Sequence, residues 1–200
     1  MRLFVAIDIP REAAGYLESV QRMVKGELAA KRWQPWKNLH LTLHFLGEVS
    51  EASVPELVAD MEQVGSLVAP FRLALGRFGV FPQPDRPHVL WLGVAEQGQG
   101  QALQRIHHLL GQRLARHGWL TLDKRPYKPH ITLARGPFRG TLPVPLTDWD
   151  ARFLGTTPPS WSVQAIHLYR SQLLPQGAVH TLLHSAPLTG GPSASGEQKA

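Results

Sequence analysis

At 200 residues and 22.2 kDa, with 43% apolar residues, the chain suits one compact domain or two tightly joined lobes with a core of their own. It contains no cysteine, which excludes disulfides and thiolate chemistry and leaves histidine, carboxylate and hydroxyl groups as reactive side chains. The formal net charge of +6, from 21 Lys and Arg against 15 Asp and Glu, favours an anionic partner such as phosphate or RNA. No apolar run approaches the roughly 18 residues that span a bilayer, so no membrane partner is expected. The opening MRLFVAIDIP, interrupted by Asp8 and Pro10, is too short for a secretory signal, and a cytoplasmic protein is expected.

In chain order, RLFVAIDI reads as a strand stopped by Pro10, and REAAGYLESVQRMVKGELAA as an amphipathic helix with Leu17, Val20, Val24 and Leu28 on one side. Lys31 and Arg32 follow as basic residues, and the strand HLTLHFLG begins at His40. Ser50 is placed to cap a helix over roughly residues 51–68, striped by Val54, Leu57, Val58, Met61 and Val64 and ended by Pro70. Two strands, FRLALGRFGVF and HVLWLGV, flank the turn-rich PQPDRP, and QGQGQALQRIHHLLGQRLARHG reads as a third helix. HITLARG, SVQAIHLYRSQL and AVHTLLHSAPL are strand-like. Residues 1–187 are expected to form the domain and 188–200 a disordered tail, because GPSASGEQKA has no apolar content. This mixture predicts an α+β class with largely antiparallel sheets.

The strongest signal is internal. In a strand alternate side chains share a face, so His40, Thr42 and His44 lie on one side of HLTLHFLG and Leu41, Leu43 and Phe45 on the other. The tetrad H-x-T-x recurs in HITLARG, 90 residues later, and each copy follows a basic, kinked lead, WKNL or YKP. Two copies that each start a strand after a long helix predict two similar lobes, with His40, Thr42, His130 and Thr132 lining the groove between them.

On these residues the chain resembles the two-histidine phosphoesterase superfamily. Within it, RLFVAIDIP, NLHLTLHFLGE, RPHVLWLGV and KPHITLARG resemble the bacterial and archaeal RNA 2',3'-cyclic phosphodiesterases, formerly called 2'-5' RNA ligases. The resemblance covers about residues 1–185 and implies a bilobal, pseudo-twofold fold with two antiparallel sheets lining a central cleft and helices outside. It implies no metal or other cofactor, and hydrolysis of an RNA 2',3'-cyclic phosphate end to a 2'-phosphomonoester. It assigns His40 as proton donor and His130 as proton acceptor, with Thr42 and Thr132 donating hydroxyls to the phosphoryl oxygens. That division of labour suits histidine, which titrates near pH 6.5 and so supplies both an acid and a base near neutrality. Alternatives are a non-catalytic module that retains RNA ends, and an ATP-independent 2'-5' ligase running the same chemistry in reverse.

Arg135, just past the second motif, is the basic group the resemblance places against phosphate, with a solvated strand-end charge as the plain alternative. Phe45 and Trp36 are candidates to stack on a base, although Phe45 shares the leucine side by parity. His44 has the parity of His40 and is expected at the surface. Lys37, Lys128 and Tyr127, in the leads to the motifs, are candidate substrate contacts, the lysines otherwise solvated and the tyrosine otherwise a core cap. His107 and His108 diverge by about 100 degrees on a helix and do not share an ion readily, and no H-E-x-x-H, glycine-rich phosphate loop or G-x-S-x-G occurs. His180 and His184 share a parity, a hint of a polar sheet face. No obligate protein partner is expected, and a monomer is, because no extended apolar stripe is left over.

Overall fold

A computed structural model describes residues 1–83, 85–119, 126–140, 142 and 145–191. The described residues form nine strands and four α-helices, in chain order β1 Arg2–Asp8, α1 Arg11–Lys25, β2 Ala29–Trp33, β3 His40–Glu48, α2 Val54–Ser66, β4 Phe71–Phe81, β5 Val89–Glu96, α3 Ala102–Arg116, β6 His130–Arg139, α4 Thr147–Phe153, β7 Ser160–Val163, β8 Ala165–Leu174 and β9 Gly177–Pro187. All strand pairs are antiparallel and run in the order β7-β4-β5-β6-β3-β1-β8-β9, with β2 added to β6. The class is α+β.

The two expected sheets are halves of one sheet. β7-β4-β5-β6 and β3-β1-β8-β9 join through a single register pair, Leu41 opposite Ile131. So slight a junction lets the halves curl away from each other while the backbone groups at the centre stay paired.

One apolar cluster holds the helices to one face. It contains Leu17 and Val20 of α1, Leu57 and Met61 of α2, Ile106 and Leu110 of α3, and Leu41, Leu43, Ile131 and Leu133 of the two motif strands. Each helix contributes the 3.6-residue stripe read from its sequence, and each motif strand the alternate leucine or isoleucine.

Several expectations shift. The first helix ends at Lys25, and Ala29–Trp33 is β2, where Ala29 and Ala30 were expected to end that helix and Lys31 and Arg32 to follow it as basic residues. Ser50 precedes a 3-10 turn over Glu51–Ser53 and makes no side-chain cap. SVQAIHLYRSQL divides at Gln164 into β7 and β8, and Thr147–Phe153 forms a short helix that buries Trp149. Packing also runs past the expected boundary at residue 187. Leu188 is buried, and the amides of Leu188, Thr189 and Gly190 donate to Gln164, Gly65 and Val68. The rest of the expected tail, 192–200, lies outside the described residues.

Candidate active site

The pair that joins the half-sheets also brings the motifs together. Leu41 and Ile131 are fully buried on the helix side, so His40, Thr42, His130 and Thr132, all partly buried, lie on the opposite face. One step either side of that pair, antiparallel register sets His40 across from Thr132 and Thr42 across from His130. A pseudo-twofold axis therefore passes between Leu41 and Ile131. With strands about 5 Å apart and alternate residues about 7 Å apart, the two histidine Cα atoms stand roughly 8–9 Å apart on the diagonal. That leaves room for one phosphoryl group between the imidazoles.

Both rings are held in the same way. His40 Nδ1 is 2.8 Å from the carbonyl of Asn38, and His130 Nδ1 is 2.7 Å from the carbonyl of Lys128, each two residues upstream. A carbonyl can only accept, so Nδ1 carries the proton and donates, leaving Nε2 of each ring as the reactive nitrogen. The kinked leads supply these carbonyls: a 3-10 turn over Trp36–Asn38 in one, the stretch between Pro126 and Pro129 in the other. Burial is the main influence on both rings and favours their neutral forms. It lowers His40 to about 4, with His180, Arg135 and His130 acting in the same sense against the Asn38 carbonyl. His130 is lowered by burial and then Arg135, against the Lys128 carbonyl. Both histidines thus feel Arg135, and His40 feels His130.

Parity along a regular strand would turn Arg135, five residues from His130, away from that face. A β-bulge brings it back. In β6, Ala134 pairs with Leu90 and Thr132 with Trp91, so Leu133 is an extra residue; in β3, His44 pairs with Val5 and Thr42 with Ala6, so Leu43 is extra. Both bulges fall at the fourth position of H-x-T-x and reverse the alternation beyond it. Arg135 and Phe45, equivalent positions in the two motifs, both emerge on the histidine side, and Phe45 is 58% exposed instead of packed with the leucines.

The same reversal corrects His44, expected at the surface. It is 7% exposed on the helix side, its Nε2 donates to the carbonyl of His107 at 2.8 Å, and its ring stacks on that of His107 at 4.2 Å. His107 stacks in turn on Tyr127 at 3.9 Å, and the Tyr127 hydroxyl donates to the carbonyl of Thr42 at 2.8 Å. Tyr127 therefore braces α3 against the first motif. Lys128 contributes its carbonyl to His130 while the residue is exposed, and Trp36, 39% exposed, lies beneath the Arg11 guanidinium at 4.3 Å. Lys37 Nζ sits 5.7 Å from the same ring.

Several residues near the site were missed in the sequence. Phe4, almost fully buried, touches His40 at 4.8 Å, His180 at 4.9 Å and Tyr169 at 5.3 Å between ring centres. His180 meets His40 edge-on at 5.4 Å. Asn38 ties this arrangement together, because its carbonyl accepts from His40 while its side-chain amide donates to Ala178 on β9 at 2.8 Å. Asp8 is the register partner of His40, accepts from the Tyr169 hydroxyl at 2.6 Å and lies 3.7 Å from His167. On the other side, Phe81 meets His130 edge-on at 4.9 Å and Trp91 lies 5.7 Å away. The Trp91 ring occupies space that only Gly79 leaves open, since a Cβ there would fall 2.1 Å from it. Aromatic residues in strands read as core by default, and the only early signal was the shared parity of the C-terminal histidines. Even that misleads, because a bulge at Leu183 leaves His180 by the cleft and turns His184 toward Glu62 of α2. Among the described residues no group of three or more His, Asp or Glu side chains is arranged to hold a metal ion.

The chain belongs to the 2'-5' RNA ligase superfamily, which it matches over residues 9–173. It is 36% identical to an RNA 2',3'-cyclic phosphodiesterase of Thermus thermophilus, over 95% of this chain and 91% of that protein. It is 30% identical to one of Thermotoga maritima, over 96% and 97%. A crystal structure of a Thermus thermophilus protein superposes with a TM-score of 0.73 at 29% identity, covering 95% of this chain and 99% of that one. Escherichia coli LigT complexed with 3'-AMP gives 0.70 at 28%, covering 94% and 98%.

Proposed function

We propose that the protein is an RNA 2',3'-cyclic phosphodiesterase that opens the cyclic phosphate to a 2'-phosphomonoester. The observation that carries this reading is the pair of matched imidazoles across the Leu41–Ile131 junction, each with Nδ1 tied to the carbonyl two residues back and Nε2 left free. Relatives named for this activity align along nearly the whole chain, which supports it. No described helix is long and apolar enough to cross a membrane.

The chemistry follows from placing one phosphoryl group between the rings. A neutral imidazole takes a proton from water as its oxygen attacks phosphorus; the P–O3' bond breaks on the opposite side, and an imidazolium gives its proton to O3'. The two lobes lie on opposite sides of phosphorus, as in-line displacement requires. Thr42 and Thr132 donate to the non-bridging oxygens, and Arg135 opposes the charge that accumulates there. Phe45, exposed on the histidine side, offers a ring face to a nucleobase.

His40 is the proton donor in this scheme and His130 the acceptor. Because burial favours neutral rings in the free protein, the anionic diester itself stabilises the single imidazolium that the reaction needs. The roles separate with a diester whose leaving group is 4-nitrophenoxide, which departs without protonation. His40→Ala should then retain most of its activity while His130→Ala does not; the opposite pattern reverses the assignment.

The activity is tested by incubating the protein with a 2',3'-cyclic mononucleotide in excess chelator and identifying the product by ³¹P NMR. Release of the 2'-phosphomonoester is expected, with His40→Ala and His130→Ala each slower by about 10²–10⁴-fold. Binding without turnover would make the protein a module that retains RNA ends.

A further inference from the structure

β2 joins β6 on the same edge as β3, further along the strand, and in that pairing Arg32 stands opposite Arg135. Directly opposite residues of an antiparallel pair project to the same face, so Arg32 shares the face of Arg135, the guanidinium that both motif histidines feel. Like charges in this position weaken a strand pair. Neither arginine is relieved by an acid: among the described residues no ion pair forms with Arg32 or Arg135, whereas Arg11, Arg113 and Arg152 are each matched by a carboxylate.

Arg32 also has a defined direction. Its Nη1 lies 3.9 Å from where a Cβ of Gly177 would stand, beneath the tip of the β8–β9 hairpin. That tip is fastened to the first motif by the Asn38 bond to Ala178, one residue further on. Arg135 thus neighbours the histidine pair, and Arg32 lies between Arg135 and the hairpin tip. An unneutralised pair of guanidiniums one step from a phosphoryl site suits a second phosphate, which a guanidinium fork engages through two parallel hydrogen bonds.

We propose that Arg32 holds the internucleotide phosphate on the 5' side of the cyclic end, so that the cleft recognises an RNA terminus in preference to a cyclic mononucleotide. This rests on the phosphodiesterase reading and adds to it a residue that sets the length of RNA the cleft prefers. The repulsion between two opposed arginines in the free protein is relieved when the polyanion enters between them.

The test compares kcat/KM for 2',3'-cyclic CMP and for a CpC dinucleotide ending in a 2',3'-cyclic phosphate, in wild type, Arg32→Gln and Arg32→Lys. Wild type should prefer the dinucleotide by about 10–100-fold, the range for a hydrogen bond to a charged group. Arg32→Gln should remove most of that preference through KM and leave cyclic CMP turnover unchanged, and Arg32→Lys should keep part of it. The salt dependence for the dinucleotide should fall by roughly 0.7 in log–log slope, one phosphate contact on a single strand. Arg32→Gln should melt no lower than wild type, since it removes a like-charge pair. An unchanged preference in Arg32→Gln, or an equal loss on both substrates, overturns the proposal. Failure of wild type to open either substrate overturns the phosphodiesterase reading, and this subsite with it.

Discussion

His40 offers the most demanding check on the site, because its environment makes a claim about stability as well as catalysis. Its ring falls from an ordinary 6.5 to about 4, first through burial and then through His180, Arg135 and His130. The folded state therefore favours the neutral ring, and the unfolded chain takes up a proton that the folded chain refuses. The resulting stability is present above about pH 6.5 and is lost as pH falls toward the folded value. At 1.36 kcal/mol per pH unit, His40 should cost the fold about 2 kcal/mol between pH 7 and 5, and about 3 kcal/mol by pH 4. Urea unfolding of wild type and His40→Gln across this range isolates the effect, since glutamine does not titrate and His107, lowered to about 4 mainly by its own burial, is common to both. Wild type should lose stability more steeply with acid. Inorganic phosphate should shrink that difference, because an anion between the rings favours the imidazolium. Equal pH dependence in the two proteins would refute both the burial of His40 and the charge logic of the cleft.

Leu41→Ala removes a fully buried side chain at the junction of the half-sheets, and should destabilise by about 2–5 kcal/mol in chemical denaturation. Gly79→Ala sets a methyl carbon 2.1 Å from the Trp91 ring and should displace it from beside Thr132, seen as altered tryptophan fluorescence and a lower kcat/KM on the cyclic mononucleotide. Tyr127→Phe removes the hydroxyl donor to the Thr42 carbonyl, and should cost about 1 kcal/mol in unfolding free energy while KM stays within twofold; a large rise in KM would make Tyr127 a substrate contact.

Much of this protein was legible before any coordinates. Period-two and period-3.6 patterns marked seven strand segments, one of which divides into β7 and β8, and three of the four helices among the described residues, because a residue's side of a strand or helix follows from its position in the local repeat. The repeated H-x-T-x marked both halves of the site for the same reason. β2 was hidden because AAKRW lies on a strand edge with little buried surface, and so carries no apolar alternation. The places of Arg135, Phe45 and His44 could not be read, since the bulges at Leu43 and Leu133 arise from how each strand registers with its neighbour. A one-residue slip of that kind leaves the local sequence pattern untouched while reversing every side chain beyond it. The approach of Phe4, His180 and Asp8 to His40, and of Arg32 to Arg135, likewise depends on which strands lie side by side. Those pairings join residues up to 140 positions apart, and packing selects them, not local chemistry.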